Sequence, residues 1–196
     1  MAFVSTTSEA QAEGEVAELY AENREAWGYV PDFAKVLCLR PAVFRAWGQL
    51  IGEIRGTMDR RRFELATLAA ARQLRSSYCS LAHAKVLRDR FLSVEQLVAV
   101  AVDHHHAGLD ELDVAVMDLA AQVAADATQV TAANVERLRA LGLSDPEIAD
   151  VVLAAAARSF FTKALDGLGA EPDPAFRELE PELQEVLVVG RPIATG

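Results

Sequence analysis

Glu64, Cys79 and His83 place a carboxylate, a thiol and an imidazole on two successive predicted helices. From 61 to 74 the apolar residues Phe63, Leu65, Ala66, Leu68, Ala69, Ala70 and Leu74 recur at helical rather than alternating spacing, so Glu64 lies near the start of a helix. Arg75, Ser76 and Ser77 interrupt the run, and a serine just before Tyr78 can cap a second helix, SYCSLAHAKVLRDR. Cys79 then sits in a first helical turn. There the unpaired N–H groups and the positive end of the helix dipole favour a thiolate. His83 follows one turn later on the same face, which puts a base near a thiol that must become a nucleophile.

The elements around this pair read as scaffold. Residues 8–27 suggest a peripheral helix, broken at Gly28-Tyr29-Val30-Pro31. A short helix ends before Pro41, and Pro41 opens another whose face Val43, Phe44, Trp47, Leu50, Ile51 and Ile54 is expected to be core. Helices are expected over 93–102 and 109–125, then from a Thr131 cap to Gly142. Ser144-Asp145-Pro146-Glu147 opens a longer one running to about Leu168. Prolines punctuate the tail, about 171–196, in which 175–189 holds one more helix that could contact a neighbouring chain. The chain is expected to be one all-α domain over 1–196, with its motif core at about 59–168.

Shifting the chain by 51 positions brings Leu68-Ala69-Ala70 onto Leu119-Ala120-Ala121, Leu87-Arg88 onto Leu138-Arg139 and Leu92-Ser93 onto Leu143-Ser144. This predicts two copies of a helical unit packed on each other. The chemistry does not repeat: Glu64 meets Ala115, Cys79 meets Val130 and His83 meets Asn134.

Glu64, Tyr78, Cys79 and His83 stand at the spacing of a Glu followed by Cys-x-x-Cys-x-x-x-His, with Ser76 in the place of the first cysteine. The pattern resembles the alkylhydroperoxidase D and carboxymuconolactone decarboxylase family. The resemblance runs from about Val30 through Asp173 and includes LATLAAAR, LSVEQLVAVAVD, VTAANVERLRALGLSDPEIADVVLAAAA and LGAEPD. It implies an all-helical, homo-oligomeric AhpD-like protein in which Cys79 attacks a hydroperoxide while His83 and Glu64 relay a proton. Ser76 and Tyr78 would line the site. An external thiol reductant would be required, because in the family the first cysteine resolves the oxidised second one; no bound redox cofactor is expected. The resemblance leaves two alternatives: a decarboxylase-like lyase using His83 and Glu64, and a non-catalytic scaffold or binding module.

Taken singly, each residue also has a plainer role: Cys79 as a small core residue, His83 as a satisfied core histidine, Glu64 as an acid favoured in a first helical turn, Ser76 and Ser77 as caps. Ser76 could also donate to the thiolate. Cys38 reads as core, and is the other thiol that could resolve an oxidised Cys79. Asp103-His104-His105-His106 carries metal-ligand types, but consecutive residues diverge around a helix. A compact site would need an irregular loop or a second chain, so the run reads as a solvated helix end and no metal is expected.

A hydrophobic fraction of 52%, much of it alanine, with 7% aromatics suits closely packed helices. The net charge of −10 argues against nucleic acid, and Arg60-Arg61-Arg62 is too short to reverse that. MAFVSTTSEAQAEGE lacks a basic region followed by an apolar core, and Val151–Ala157 is too short to span a bilayer, so a cytoplasmic protein is expected.

Overall fold

The structure is a computed structural model and describes residues 2–195. Its α-helices are Gly14–Trp27 (α1), Asp32–Leu37 (α2), Pro41–Thr57 (α3), Arg60–Gln73 (α4), Ser77–Arg90 (α5), Val94–Asp103 (α6), Glu111–Asp126 (α7), Ala132–Ala140 (α8), Asp145–Leu168 (α9) and Pro181–Leu187 (α10). Short 3-10 turns lie at Glu9–Gln11, His104–His106, Ala127–Gln129 and Pro174–Glu178. No strand occurs among the described residues, and no described helix is long and apolar enough to cross a membrane.

Side chains fix several helix starts by satisfying amides that have no partner in the helix itself. Asp59 accepts from Arg62 N, and Ser93 and Thr131 form reciprocal boxes with Gln96 and Asn134. Glu147 accepts from both the N–H and the hydroxyl of Ser144. The expected helix over 8–27 begins only at Gly14, whose φ of +53° marks a break that glycine permits.

α4 is the centre of the molecule. Every residue from Phe63 to Ala71 is buried, and the helix packs against α5, α7 and α9. Truncating Leu65 or Leu68, neither of which reaches solvent, would cost about 2–5 kcal/mol. The 51-residue shift also matches whole elements: α4 falls on α7, α5 on the segment containing α8, and the start of α6 on the start of α9. The two copies meet chiefly through α4 and α7. Buried Asp113 on α7 accepts from Arg61 and Arg62 on α4, and Arg60 pairs with Glu64 at 2.8 Å, so the arginine cluster is an internal clamp.

One expectation is corrected. On α3 only Phe44 and Ile54 are fully buried, while Val43 and Leu50 are about half exposed, because α9 covers just part of that apolar stripe. The tail packs on its own chain: Leu183 and Leu187 of α10 are buried where that helix meets α5 and α6. Gly190 lies against the α4–α5 turn and donates to Ser77 Oγ at 2.8 Å. A Cβ on Gly190 would collide with the Arg75 carbonyl oxygen, so only glycine allows this approach. Arg75 itself adopts φ +56° as α4 ends.

Candidate active site

α4, α5 and α9 bring the predicted triad to one cavity of about 290 Å³. Cys79, at the third position of α5, is 1% exposed, and its Sγ accepts from Thr162 Oγ1 at 3.2 Å and faces Arg158 Nη1 at 3.7 Å. Both partners come from α9. His83 lines the same cavity, with Nδ1 2.6 Å from Glu64 Oε2 and 3.1 Å from Thr67 Oγ1. The Thr67 hydroxyl donates to the Phe63 carbonyl at 2.8 Å, so its oxygen is left to accept from His83. The opposite wall is aromatic: Trp47 stacks on Phe161 at 4.1 Å, and Trp27, Phe33 and Phe44 continue it.

Burial alone would raise the Glu64 pKa, but His83, Arg60 and Arg158 more than offset it and hold the carboxyl below its ordinary 4.5. The His83 pKa is pushed below 6.5, first by burial and then by Arg158, against the pull of Glu64. At neutral pH the pair is therefore a carboxylate and a neutral imidazole. Its Nδ1–H points to Glu64, which leaves Nε2 with a lone pair for proton exchange.

Tyr78 lines the cavity while its hydroxyl is committed elsewhere. It donates to buried Asp173 and accepts from Phe33 N at 3.3 Å. Asp173 also accepts from Asp32 N at 2.8 Å. A residue of the tail and one of α5 thus cap α2, whose own N-cap is Pro31. Burial and the Asp173 charge push the Tyr78 pKa well up, and burial raises that of Asp173.

The structure brings Glu64, Cys79, His83 and Tyr78 together, and leaves Ser76 out of the cavity wall. Ser76 is the N-cap residue of α5 but makes no side-chain cap bond, and its buried Oγ has no hydrogen-bond partner among the described residues. Ser77 is not a cap either, since its oxygen is taken by Gly190 N. The donors to the sulfur are Thr162 and Arg158 rather than Ser76. Cys38, at the C-cap of α2, is buried outside the cavity wall and forms no disulfide. Burial pushes its thiol up to about 11, although Arg45 pulls the other way.

Arg158, Thr162 and Thr67 were not singled out from the sequence. One signal was present: Val151, Ala155, Arg158, Thr162 and Leu165 recur at four and three residues on α9, which puts an arginine on a buried apolar face. Arg158 is 5% exposed, lies 5.1 Å from the Phe161 ring and 5.7 Å from that of Trp47, and has no carboxylate in salt-bridge range among the described residues.

Residues 41–104, which hold the whole motif, match the model of the Carboxymuconolactone decarboxylase family. No curated protein matches the chain. Among solved structures, the chain is similar to an uncharacterised peroxidase-related protein with an alkylhydroperoxidase AhpD core from Ralstonia eutropha JMP134, at 24% identity and TM-score 0.75, over 89% of this chain and 94% of that one. An uncharacterised peroxidase-related protein from Silicibacter sp. TM1040 aligns at 17% identity and TM-score 0.77, over 88% and 94%. A cysteine-to-alanine variant of the debrominase Bmp8, in complex with 2,3,4-tribromopyrrole, aligns at 12% and TM-score 0.77, over 95% and 100%. The fold is AhpD-like and all-α.

Proposed function

We propose that the protein is a thiol oxidoreductase that reduces hydroperoxides at Cys79. The observation that carries this reading is the pair of donors from α9 aimed at Sγ, in the same cavity wall as the Glu64–His83 pair. A sulfur held by a hydroxyl and a guanidinium is prepared for negative charge. In the first step His83 Nε2 takes the thiol proton. Sγ then attacks the terminal, hydroxyl-bearing peroxide oxygen, the O–O bond breaks, and the departing alkoxide takes the proton back from His83 as an alcohol. Cys79 becomes a sulfenic acid. An external thiol condenses with it to a mixed disulfide and water, and a second thiol restores Cys79. Ser76 cannot resolve the sulfenate, and Cys38 lies outside the cavity wall.

The aromatic wall supports a second reading, in which Sγ takes the halogen from an aryl halide as an S–halogen bond while the ring carbon takes a proton in place of its C–halogen bond; one external thiol then displaces halide to give a mixed disulfide and a second restores Cys79, a chemistry in keeping with the likeness to a debrominase fold. In the decarboxylase alternative Cys79 is incidental, and the α9 donors to Sγ would then have no purpose. A homo-oligomer fits the half-exposed Val43, Leu50, Leu153 and Phe160, which α3 and α9 present.

Consumption of cumene hydroperoxide with dithiothreitol is the test. The parent should turn over well above its Cys79→Ser variant. Equal rates would remove the peroxidase reading, and bromide release from a bromopyrrole that depends on Cys79 would favour the second.

A further inference from the structure

α6 does not continue through the histidine run. Asp103 accepts from His105 N at 3.0 Å and pairs with His106 Nδ1 at 2.6 Å, turning 104–106 into a 3-10 turn. This supplies the irregular backbone that a compact site at consecutive histidines needs. His104 and His105 swing to the same side, their ring centroids 4.4 Å apart, and both face Asp118 on α7.

His104 Nε2 and His105 Nε2 each lie 2.9 Å from the same oxygen, Asp118 Oδ1. The three ligand atoms are all within 4.8 Å of one another. Donors around a tetrahedral zinc ion with bonds of about 2.0–2.1 Å stand about 3.3 Å apart, so small rotamer changes would seat an ion between them. Arg137 Nη1 holds the other carboxylate oxygen at 3.0 Å, which aims Oδ1 at the two rings. His104 and Asp118 are about a quarter exposed, and His105 about half, so one side of the group stays open to solvent.

We propose that His104, His105 and Asp118 form a binding site for a borderline divalent transition-metal ion of the zinc class, distinct from the Cys79 cavity. Two imidazole nitrogens and one carboxylate oxygen suit zinc, cobalt or nickel and disfavour calcium and magnesium, which take oxygen donors. Water would complete the coordination from the open side. The ion would tie the end of α6 to α7 and so brace the contact between the two helical repeats. None of its ligands lines the Cys79 cavity, and the role is one of stability.

The full chain, stripped with a chelator, would be titrated with zinc by calorimetry, with native mass spectrometry for stoichiometry. One ion per chain is expected. His105→Ala removes a half-exposed ring with little risk to the fold, and it should weaken binding at least about tenfold, as should Asp118→Asn. Cys79→Ser should bind as the parent does, because Cys79, His83 and Glu64 are the competing ligand group. A rise in melting temperature with zinc should be seen in parent and Cys79→Ser and be lost in His105→Ala. The proposal is overturned by no binding at micromolar zinc, by binding indifferent to both His105→Ala and Asp118→Asn, or by binding that Cys79→Ser alone abolishes.

Discussion

Replacing Arg158 by methionine separates what that residue does for the fold from what it does for the sulfur. The guanidinium stands 3.7 Å from Sγ, and a full negative charge there would interact with it by about 4 kcal/mol at an effective dielectric of 20. That figure is a ceiling. A charged hydrogen bond is worth about 1.5–3 kcal/mol net, which corresponds to a loss of about tenfold to a hundredfold in the rate of Cys79 oxidation. Stability should move the other way or not at all. A buried cation with no carboxylate in salt-bridge range among the described residues carries a desolvation cost that the more distant Glu64 offsets only in part, and an apolar side chain of similar size removes it, against about 0.5–2 kcal/mol of cation–π contact with Trp47 and Phe161. Arg158→Met should therefore unfold in urea within about 1 kcal/mol of the parent while reacting with hydroperoxide much more slowly. Stopped-flow oxidation and equilibrium unfolding measure the two quantities. A variant destabilised by more than about 2 kcal/mol, yet oxidised at the parent rate, would show that Arg158 serves packing and not the thiol.

Tyr78→Phe keeps the ring contacts with Phe33 and Phe176 but strips Asp173 and Phe33 N of a partner; it should cost about 2–5 kcal/mol in urea unfolding, and a loss below about 0.5 kcal/mol would contradict the capping of α2 by that hydroxyl. Because folded His83 holds its proton less tightly than the unfolded ordinary value of 6.5, the unfolded chain binds more protons, and stability should fall as pH drops below about 6.5. Glu64, with its pKa lowered from 4.5, adds to the loss further down, as pH falls through its folded value. The slope from one such proton approaches about 1.4 kcal/mol per pH unit, and His83→Gln should flatten the first part of the curve; parallel curves would remove the assignment. His83→Ala should slow alkylation of Cys79 more at neutral than at high pH, where hydroxide replaces the imidazole, and identical profiles would rule out the base role. Ser76→Cys should form a disulfide with Cys79 on oxidation and raise peroxide turnover with a dithiol; a disulfide without any gain would show that resolution is not what limits the parent.

The triad was legible because Glu64, Cys79 and His83 lie on adjacent helices whose spacing fixes their relation. Two helix starts were legible because Thr131 and Ser144 announce themselves locally. What escaped depends on chain distant in sequence. Thr162 and Arg158 reach Cys79 from α9, Asp173 reaches Tyr78 from the tail, and Gly190 takes the Ser77 oxygen that a local reading assigns to a cap. On α3 the apolar stripe is wider than the area α9 covers, so periodicity alone could not tell which of its residues are core. At His104–His106 a helical reading spread the rings apart, whereas the Asp103 carboxylate diverts the backbone and gathers two of them on Asp118.

Peroxide chemistry at Cys79 is tested most directly by weighing the intact protein after a brief exposure to a slight excess of hydroperoxide, with and without a sulfenate-trapping dione. One added oxygen is expected, converted to a single dione adduct that maps to Cys79 and disappears in Cys79→Ser, while Cys38 stays unmodified. An unchanged mass, or oxidation shared equally between Cys38 and Cys79, would contradict the account.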